Sequence, residues 1–305
     1  MNINKVIKSR DTRLAILDFL RFIPDKTMLK IEYKMKIGKK LNLKNPTTFN
    51  EKLQWLKLYN RNPIYTVMAD KYLVRDYIKE KIGEQYLVPI IGVYNNVKEI
   101  PFSDLPNRFV LKCTHDSGSV ILCKDKNAFD FEDAKKRLKK RLKKNSFWWA
   151  REWPYKNIKP RIICEEYLED GKNDFLPVYK FFCFNGAPKI IQQIQNDKQE
   201  NETVDYFDTN WNRINMIQRF PNSKTPLGKP EKFDEMLEIA KKLSQGVPFL
   251  RIDLYIVNGS IIFSEHTFFT DAGYSIFEPE EEHWDEKLGE WIDLDGAYNS
   301  KSKNK

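Results

Sequence analysis

Histidine is scarce in this chain of 305 residues, with three in all, which argues against a His-rich transition-metal centre. Any metal is then expected to be a hard cation held by carboxylates, with Mg²⁺ favoured. Cysteine is nearly as sparse: Cys113, Cys123, Cys164 and Cys183 show no CxxC pairing and each sits in a strand-like apolar run. They read as buried free thiols, not as a disulfide framework. No apolar run approaches the ~18 uninterrupted residues of a membrane span, because Asp, Lys or Arg breaks every candidate. Asp18 and Arg21 cut the apolar stretch 14–23, and no small-residue cleavage site follows it, so it does not read as a signal peptide. The expected location is the cytoplasm.

Apolar and basic residues are plentiful. A hydrophobic content of 41% with 13% aromatics can build one large globular domain or two modest ones. The net charge is +9, and much of the excess lies in one run, KKRLKKRLKK at 135–144. Leu138 and Leu142 fall four apart within it, so the run reads as an amphipathic helix with a solvated cationic face in preference to a nucleic-acid arm. No nucleic-acid partner is expected. A basic surface also attracts phosphorylated or carboxylated substrates.

Apolar periodicity predicts helices near 14–23, over 49–58 after Thr47-Thr48, and over 68–82, closed by Gly83. In the first, Ile16, Leu20 and Ile23 share helical spacing with Lys5, Lys8, Arg10, Arg13 and Arg21 around them. That pattern suits peripheral contact with an anionic inner-membrane surface, although packing on the core is the commoner use. After Leu87-Val88-Pro89 the texture becomes β-rich: strands are predicted at 109–113, 120–123, 162–167, 178–184, 189–194, 249–257 and 261–263. Asn185-Gly186 and Asn258-Gly259 signal two hairpins. Helices at 131–144 and 233–245 punctuate the strands, which makes the fold class α+β without the alternation of a doubly wound sheet. The polar tail 299–305 is expected to be disordered.

Three constellations carry chemistry. In FVLKCTHDSGSVILC, 109–123, a strand bearing Lys112 runs into a polar turn with Gly118. Small residues there let backbone N–H groups approach phosphate oxygens, and Lys112 adds a point charge; alone, such a turn is usually only a turn. In RIICEEYLED, 161–170, a strand exits through Glu165 and Glu166. Solvated acids are the plain reading, and pairing of the exit backbone with an adenine edge is the functional one.

The third, RIDLYIVNGSIIFSEHTFF at 251–269, allows register arithmetic. With Asn258-Gly259 as the whole loop, Asp253 opposes Ser264 and Glu265 points to the other face. With a loop of Val257-Asn258-Gly259 and a left-handed bulge at Gly259, Asp253 opposes Phe263 and lies diagonal to Glu265 on one face. Both carboxylates then reach one Mg²⁺, and Thr267 offers a neutral oxygen. Inward acids among Ile252, Leu254, Ile262 and Phe263 are costly without a cation, which favours function here.

In this order and spacing the stretches TTFNEKLQWLKLY, ADKYLVRDYIKEKIGEQYLVP, FVLKCTHDSGS, REWPYKNIKPRIICEEYL, YKFFCFNGAPK, RIDLY and FSEHTFF resemble the ATP-grasp superfamily, most closely its TupA-like branch of teichuronic acid and surface-polysaccharide biosynthesis. The resemblance implies an ATP-grasp fold in which two α+β subdomains, 106–164 and 165–298, sandwich a nucleotide after a mostly helical region, 1–105. It implies ATP and Mg²⁺ as cofactors. Lys112 and Lys180 would contact phosphates under a loop of His115, Ser117, Gly118 and Ser119, and Glu165, Glu166, Tyr167 and Leu168 would line the adenine hinge. Asp253, Glu265 and Thr267 would hold the metal, with Arg251 and Lys180 as catalytic groups. Two departures stand out. Val178 replaces an acid often found two positions before Lys180, and Thr267 stands where many ATP-grasp enzymes have Asn.

The aromatic-dense 147–155, FWWAREWPY, reads equally as core packing or as a sugar-stacking wall in which Trp153 stacks and Arg151 holds an acidic group. Lys71 and Arg75, at i, i+4, read first as a solvated pair and second as a substrate clamp. The activity implied by the resemblance is a carboxylate–amine ligase acting on an acidic sugar or polysaccharide precursor and an amine such as an amino acid. A glycosyltransferase and an ATP-dependent sugar kinase are the alternatives.

Overall fold

Helical periodicity ahead of residue 87 and strand periodicity after it resolve into a helical layer and two antiparallel sheets. The computed structural model describes residues 10–171 and 176–298. The tail 299–305, and Lys5 and Lys8 of the N-terminal basic pattern, lie outside the described residues.

The helices are α1 (Arg10–Phe19, continued by a 3-10 turn at Leu20–Phe22), α2 (Asp25–Ile37), α3 (Phe49–Tyr59), α4 (Ile64–Ala69) and α5 (Val74–Lys81). Thr48 caps α3 by accepting the Glu51 N–H at 3.3 Å, and the Glu51 carboxylate reaches back to the Thr47 N–H at 3.1 Å. Phe49, Leu53, Leu56 and even Lys57 of α3 are buried, so the helix runs through the core. The helix expected over 68–82 is two helices. Between them the Asp70 carboxylate accepts the N–H groups of Tyr72 and Leu73, at 2.8 and 3.2 Å, and turns the chain.

The first sheet has the order β1-β4-β2-β3, from β1 (Ile90–Tyr94), β2 (Phe109–Cys113), β3 (Ile121–Cys123) and β4 (Ile162–Glu166). It draws β1 from ahead of residue 106. The basic helix α6 (Phe131–Leu142) covers it with Ala134 and Leu138, and Cys113, Cys123 and Cys164 lie in that layer. All four thiols are free and buried.

The second sheet has the order β10-β9-β5-β6-β7-β8, from β5 (Val178–Phe184), β6 (Ala187–Gln195), β7 (Thr203–Phe207), β8 (Arg213–Ile214), β9 (Phe249–Val257) and β10 (Ser260–Thr267). Both Asn-Gly hairpins form, and Asn258 (φ 49°) and Gly259 (φ 75°) adopt the two left-handed conformations of a tight loop. Helix α7 (Phe233–Ser244) covers one face through Phe233, Met236, Ala240 and Leu243. Phe49 of α3 meets Phe249 at 5.0 Å between ring centroids, which ties the helical layer to this sheet. Among the described residues no helix is long and apolar enough to cross a membrane.

Candidate active site

The β9–β10 register decides whether Asp253 and Glu265 can cooperate. Val257 opposes Ser260, so the loop is Asn258-Gly259 alone and the expected three-residue loop with a bulge at Gly259 does not form. The bulge lies further along. Phe263 opposes Leu254, Glu265 opposes Asp253, and Ser264 is the extra residue. The two carboxylates therefore share a face and stand directly opposite each other, where a diagonal arrangement was expected. Thr267 opposes Arg251 on the same face.

That face carries a row of charge. Lys180 of β5 pairs with Asp253, and its Nζ lies 3.5 Å from Asp253 Oδ2. Arg251 donates to both Asp253 oxygens, from Nε at 2.7 Å and Nη2 at 2.8 Å, and to the hydroxyls of Thr267 and Thr270 at 3.0 Å. Burial opposes the Arg251 charge, but Asp253 and Glu265 raise its pKa above the ordinary arginine value, so it stays protonated. Burial would raise the Glu265 pKa. Lys71, Arg251, Lys180 and Lys112 outweigh burial and hold that carboxyl below its usual range.

The first sheet supplies the facing wall. Lys112 Nζ lies 2.6 Å from Glu165 Oε2, and Arg75 Nη1 lies 3.7 Å from Glu165 Oε1. Glu165 is buried between these cations and Glu166 is exposed. Tyr167 and Leu168 are half-buried; Leu168, with Leu176 and Tyr255, packs on Val88, Val257 and Ile262 to form an apolar cluster beside the strand exit. The turn at Asp70 removes Lys71 from the helix face it was expected to share with Arg75. Its backbone N–H bonds Thr114 O at 3.1 Å, and its Nζ bonds Asp116 O at 2.7 Å and lies 3.7 Å from Glu265 Oε2.

The polar loop is pinned at its base and open at its tip. Ser119 Oγ donates to the buried Asp116 and accepts the Cys113 N–H at 2.9 Å. Ser117 and Gly118 are exposed, with Gly118 at φ 92°, a conformation that suits glycine. His115 does not join them. It turns inward to Arg141 O at 3.2 Å, and burial lowers its pKa.

Arg151 also lies elsewhere, and the surface wall proposed for it is not formed. Its side chain is 0% exposed, its Nη2 donates to Leu20 O at 3.0 Å, and its guanidinium lies 4.7 Å from the Trp148 ring centroid. Trp153 is half-buried in a 3-10 turn, Trp153–Tyr155. In the same turn Tyr155 is half-buried, and burial, with the charges of Glu152 and Glu265, pushes its pKa well up. Thr270 was not anticipated either. It begins a turn in which Asp271 (φ 46°) and Ala272 (φ 54°) are left-handed without being glycine, a strain often stored at functional sites. Nothing in the residue types signals it.

Asp253, Glu265 and Thr267 offer two opposed carboxylates and a neutral hydroxyl on one face, oxygen donors of the kind Mg²⁺ takes, with Arg251 now donating to both Asp253 oxygens and to the Thr267 hydroxyl. Among the described residues no group of three or more His, Cys, Asp or Glu could hold a metal by itself. The remaining ligands would be phosphate oxygens and water, the usual manner of Mg²⁺ in phosphoryl-transfer sites.

The chain is an ATP-grasp protein, a class that uses ATP and Mg²⁺. More narrowly, the TupA-like ATP-grasp family model matches residues 51–293, and the chain belongs to that family. No curated protein matches the chain. Among solved structures, D-alanine–D-alanine ligase from Bacillus anthracis complexed with ATP is similar at 14% identity and TM-score 0.45, over 78% of this chain and 69% of that one. The Helicobacter pylori D-alanine–D-alanine ligase is similar at 14% identity and TM-score 0.42, over 85% and 68%. The ATP-grasp ligase PsnB, complexed with minimal precursor, Mg and ADP, is similar at 12% identity and TM-score 0.36, over 85% and 65%.

Proposed function

We propose that this protein is an ATP-dependent carboxylate–amine ligase that acts in the cytoplasm on an acidic sugar of a bacterial surface polysaccharide. The observation that carries the reading is the direct opposition of Asp253 and Glu265, faced by Lys71, Lys112, Lys180 and Arg251. A site so arranged neutralises a polyphosphate and the charge of phosphoryl transfer.

The apolar cluster of Val88, Leu168, Tyr255, Val257 and Ile262 would take the adenine, and exposed Glu166 the ribose hydroxyls. Glu165 positions Lys112 against the phosphates, and the tip at Ser117 and Gly118 offers backbone N–H groups from above. A bound Mg²⁺ ion would neutralise phosphate charge and align the γ-phosphate. A substrate carboxylate oxygen attacks the γ-phosphorus, ADP departs, and an acyl phosphate remains. The amine nitrogen then attacks the acyl carbon, phosphate leaves, and the nitrogen loses a proton to give the amide. Arg251 stays protonated throughout and stabilises the transferring phosphoryl group.

Incubation with ATP, Mg²⁺, a uronic acid and mixed amino acids should release ADP and free phosphate in equal amounts, with amide formed. Phosphate retained on the acceptor would make the protein a kinase. Tight binding of a UDP-sugar with none of ATP would make it a glycosyltransferase.

A further inference from the structure

Helix α1 carries two apolar stripes. Leu17, Leu20 and Ile23 are half-buried against the body of the protein. Ile16, Phe19 and Phe22, at i, i+3 and i+6, lie on the outer side, with Phe19 76% and Phe22 72% exposed. Their rings meet edge to face at 6.2 Å, so the two project as one wedge. The element is fixed: buried Arg151 holds the carbonyls of Leu20 and Ile23, at 3.0 and 3.4 Å, and Lys144 reaches Asp18 at 3.4 Å.

Cations surround the wedge. Arg21, Lys26 and Lys30 are exposed on the same stretch, and Lys139, Lys140 and Lys143 are exposed at the end of α6. That end lies beside α1, because Lys140, Arg141 and Lys144 line a shared cavity of about 370 Å³ with Thr12, Leu14 and Ala15. The acids of residues 12–36 do not cancel this charge: Asp18 pairs with Lys144, Asp25 with Arg61, and Glu32 with Lys36.

We infer that this face docks on an anionic lipid bilayer, with Phe19 and Phe22 inserted at the acyl boundary and the flanking lysines and Arg21 at the headgroups. Two protruding rings offer too little apolar area for a stable protein interface, which needs about 800 Å² per partner. A bilayer interface accepts isolated aromatic side chains, and anionic headgroups match the surrounding charge.

Vesicle sedimentation of the full chain tests this, with phosphatidylcholine alone and with about one-third phosphatidylglycerol added. The protein should pellet with the anionic vesicles only and be released by salt. F19S/F22S should lower that partitioning by about tenfold or more. Its melting temperature should not change, since both rings are already exposed. Failure of the wild type to pellet, or equal partitioning of the double variant, would overturn the inference. So would a wild-type dimer that the double variant converts to monomer without altered vesicle binding, because the rings would then cover a second copy.

Discussion

Asp253 and Glu265 stand directly opposite each other across β9 and β10 because a single residue, Ser264, is squeezed out of the ladder between them and the hairpin turn. Their surroundings differ. Asp253 is 2% exposed and held by the Arg251 fork, whereas the Glu265 side chain is 33% exposed. Both Asp253→Asn and Glu265→Gln should abolish the Mg²⁺-dependent part of the thermal shift given by ATP and reduce turnover at least ~100-fold. Only Asp253→Asn should also destabilise the unliganded protein, by about 1–3 kcal/mol, because it takes from the half-buried Arg251 the carboxylate that both arms of its fork engage. Urea melts of the two variants check the difference, and equal losses would contradict it.

The break at Asp70 gives a second prediction. Lys71 points into the site because the chain turns there, and its ammonium lies 3.7 Å from Glu265. Lys71→Ala should weaken ATP binding about tenfold, the effect of one charge-assisted contact. Arg75→Ala should do less, since Glu165 keeps its 2.6 Å partner Lys112. Isothermal titration with ATP reads both, and an unchanged affinity for Lys71→Ala would remove it from the phosphate site.

Much of this was legible in the sequence and some was not, for identifiable reasons. The Asn-Gly dipeptides fix both hairpins because few residue pairs tolerate two left-handed conformations, and the helices over 49–58, 131–144 and 233–245 follow from apolar spacing. Glycine is the usual mark of a bulge, so the residue types point to Gly259, whereas Ser264, where the bulge forms, carries no such signal. Helix α2 gives a weak periodic signal, because its buried Met28, Leu29 and Tyr33 share their face with Glu32 and thin the apolar stripe. Strand β1 is short and register-shifted next to Gly92. The apolar period runs through Lys71 as if it were helical, because Asp70 makes the break without glycine or proline.

Arg151 illustrates a different ambiguity, since aromatic density looks the same in a core as on a sugar-binding wall, and arginine is rarely buried. Here it is fully buried and bridges 147–155 to α1 and Asp25. Arg151→Met should therefore lower stability by about 1–3 kcal/mol, the cost of leaving the Leu20 and Ile23 carbonyls without their donor, and leave the KM for ATP unchanged in the folded fraction. A changed KM with intact stability would return Arg151 to the substrate site.

Beneath the site, Lys57 is fully buried and donates to Gln54 Oε1 at 3.0 Å and to the carbonyls of Ala150 and Ala272 at 2.8 Å. Its neighbour Glu152 is pushed up from 4.5 to about 7 by burial, with Lys57 and Lys36 opposing the shift. Between those two values the folded protein keeps a proton that the unfolded chain has lost, so stability falls as pH rises through the window and levels off above it. For Lys57 burial acts in the other direction, lowering its pKa from 10.5 to about 8, so stability rises with pH between those values. Glu152→Gln should flatten the acid-side slope and stabilise the protein at neutral to mildly alkaline pH, by on the order of 2 kcal/mol after screening of its half-buried carboxyl. Melting temperatures of wild type and variant across both windows test this. An unaltered slope in Glu152→Gln would mean that the titrating group lies elsewhere, whereas retention of the alkaline rise alone is what a Lys57 that gives up its proton in the folded protein requires.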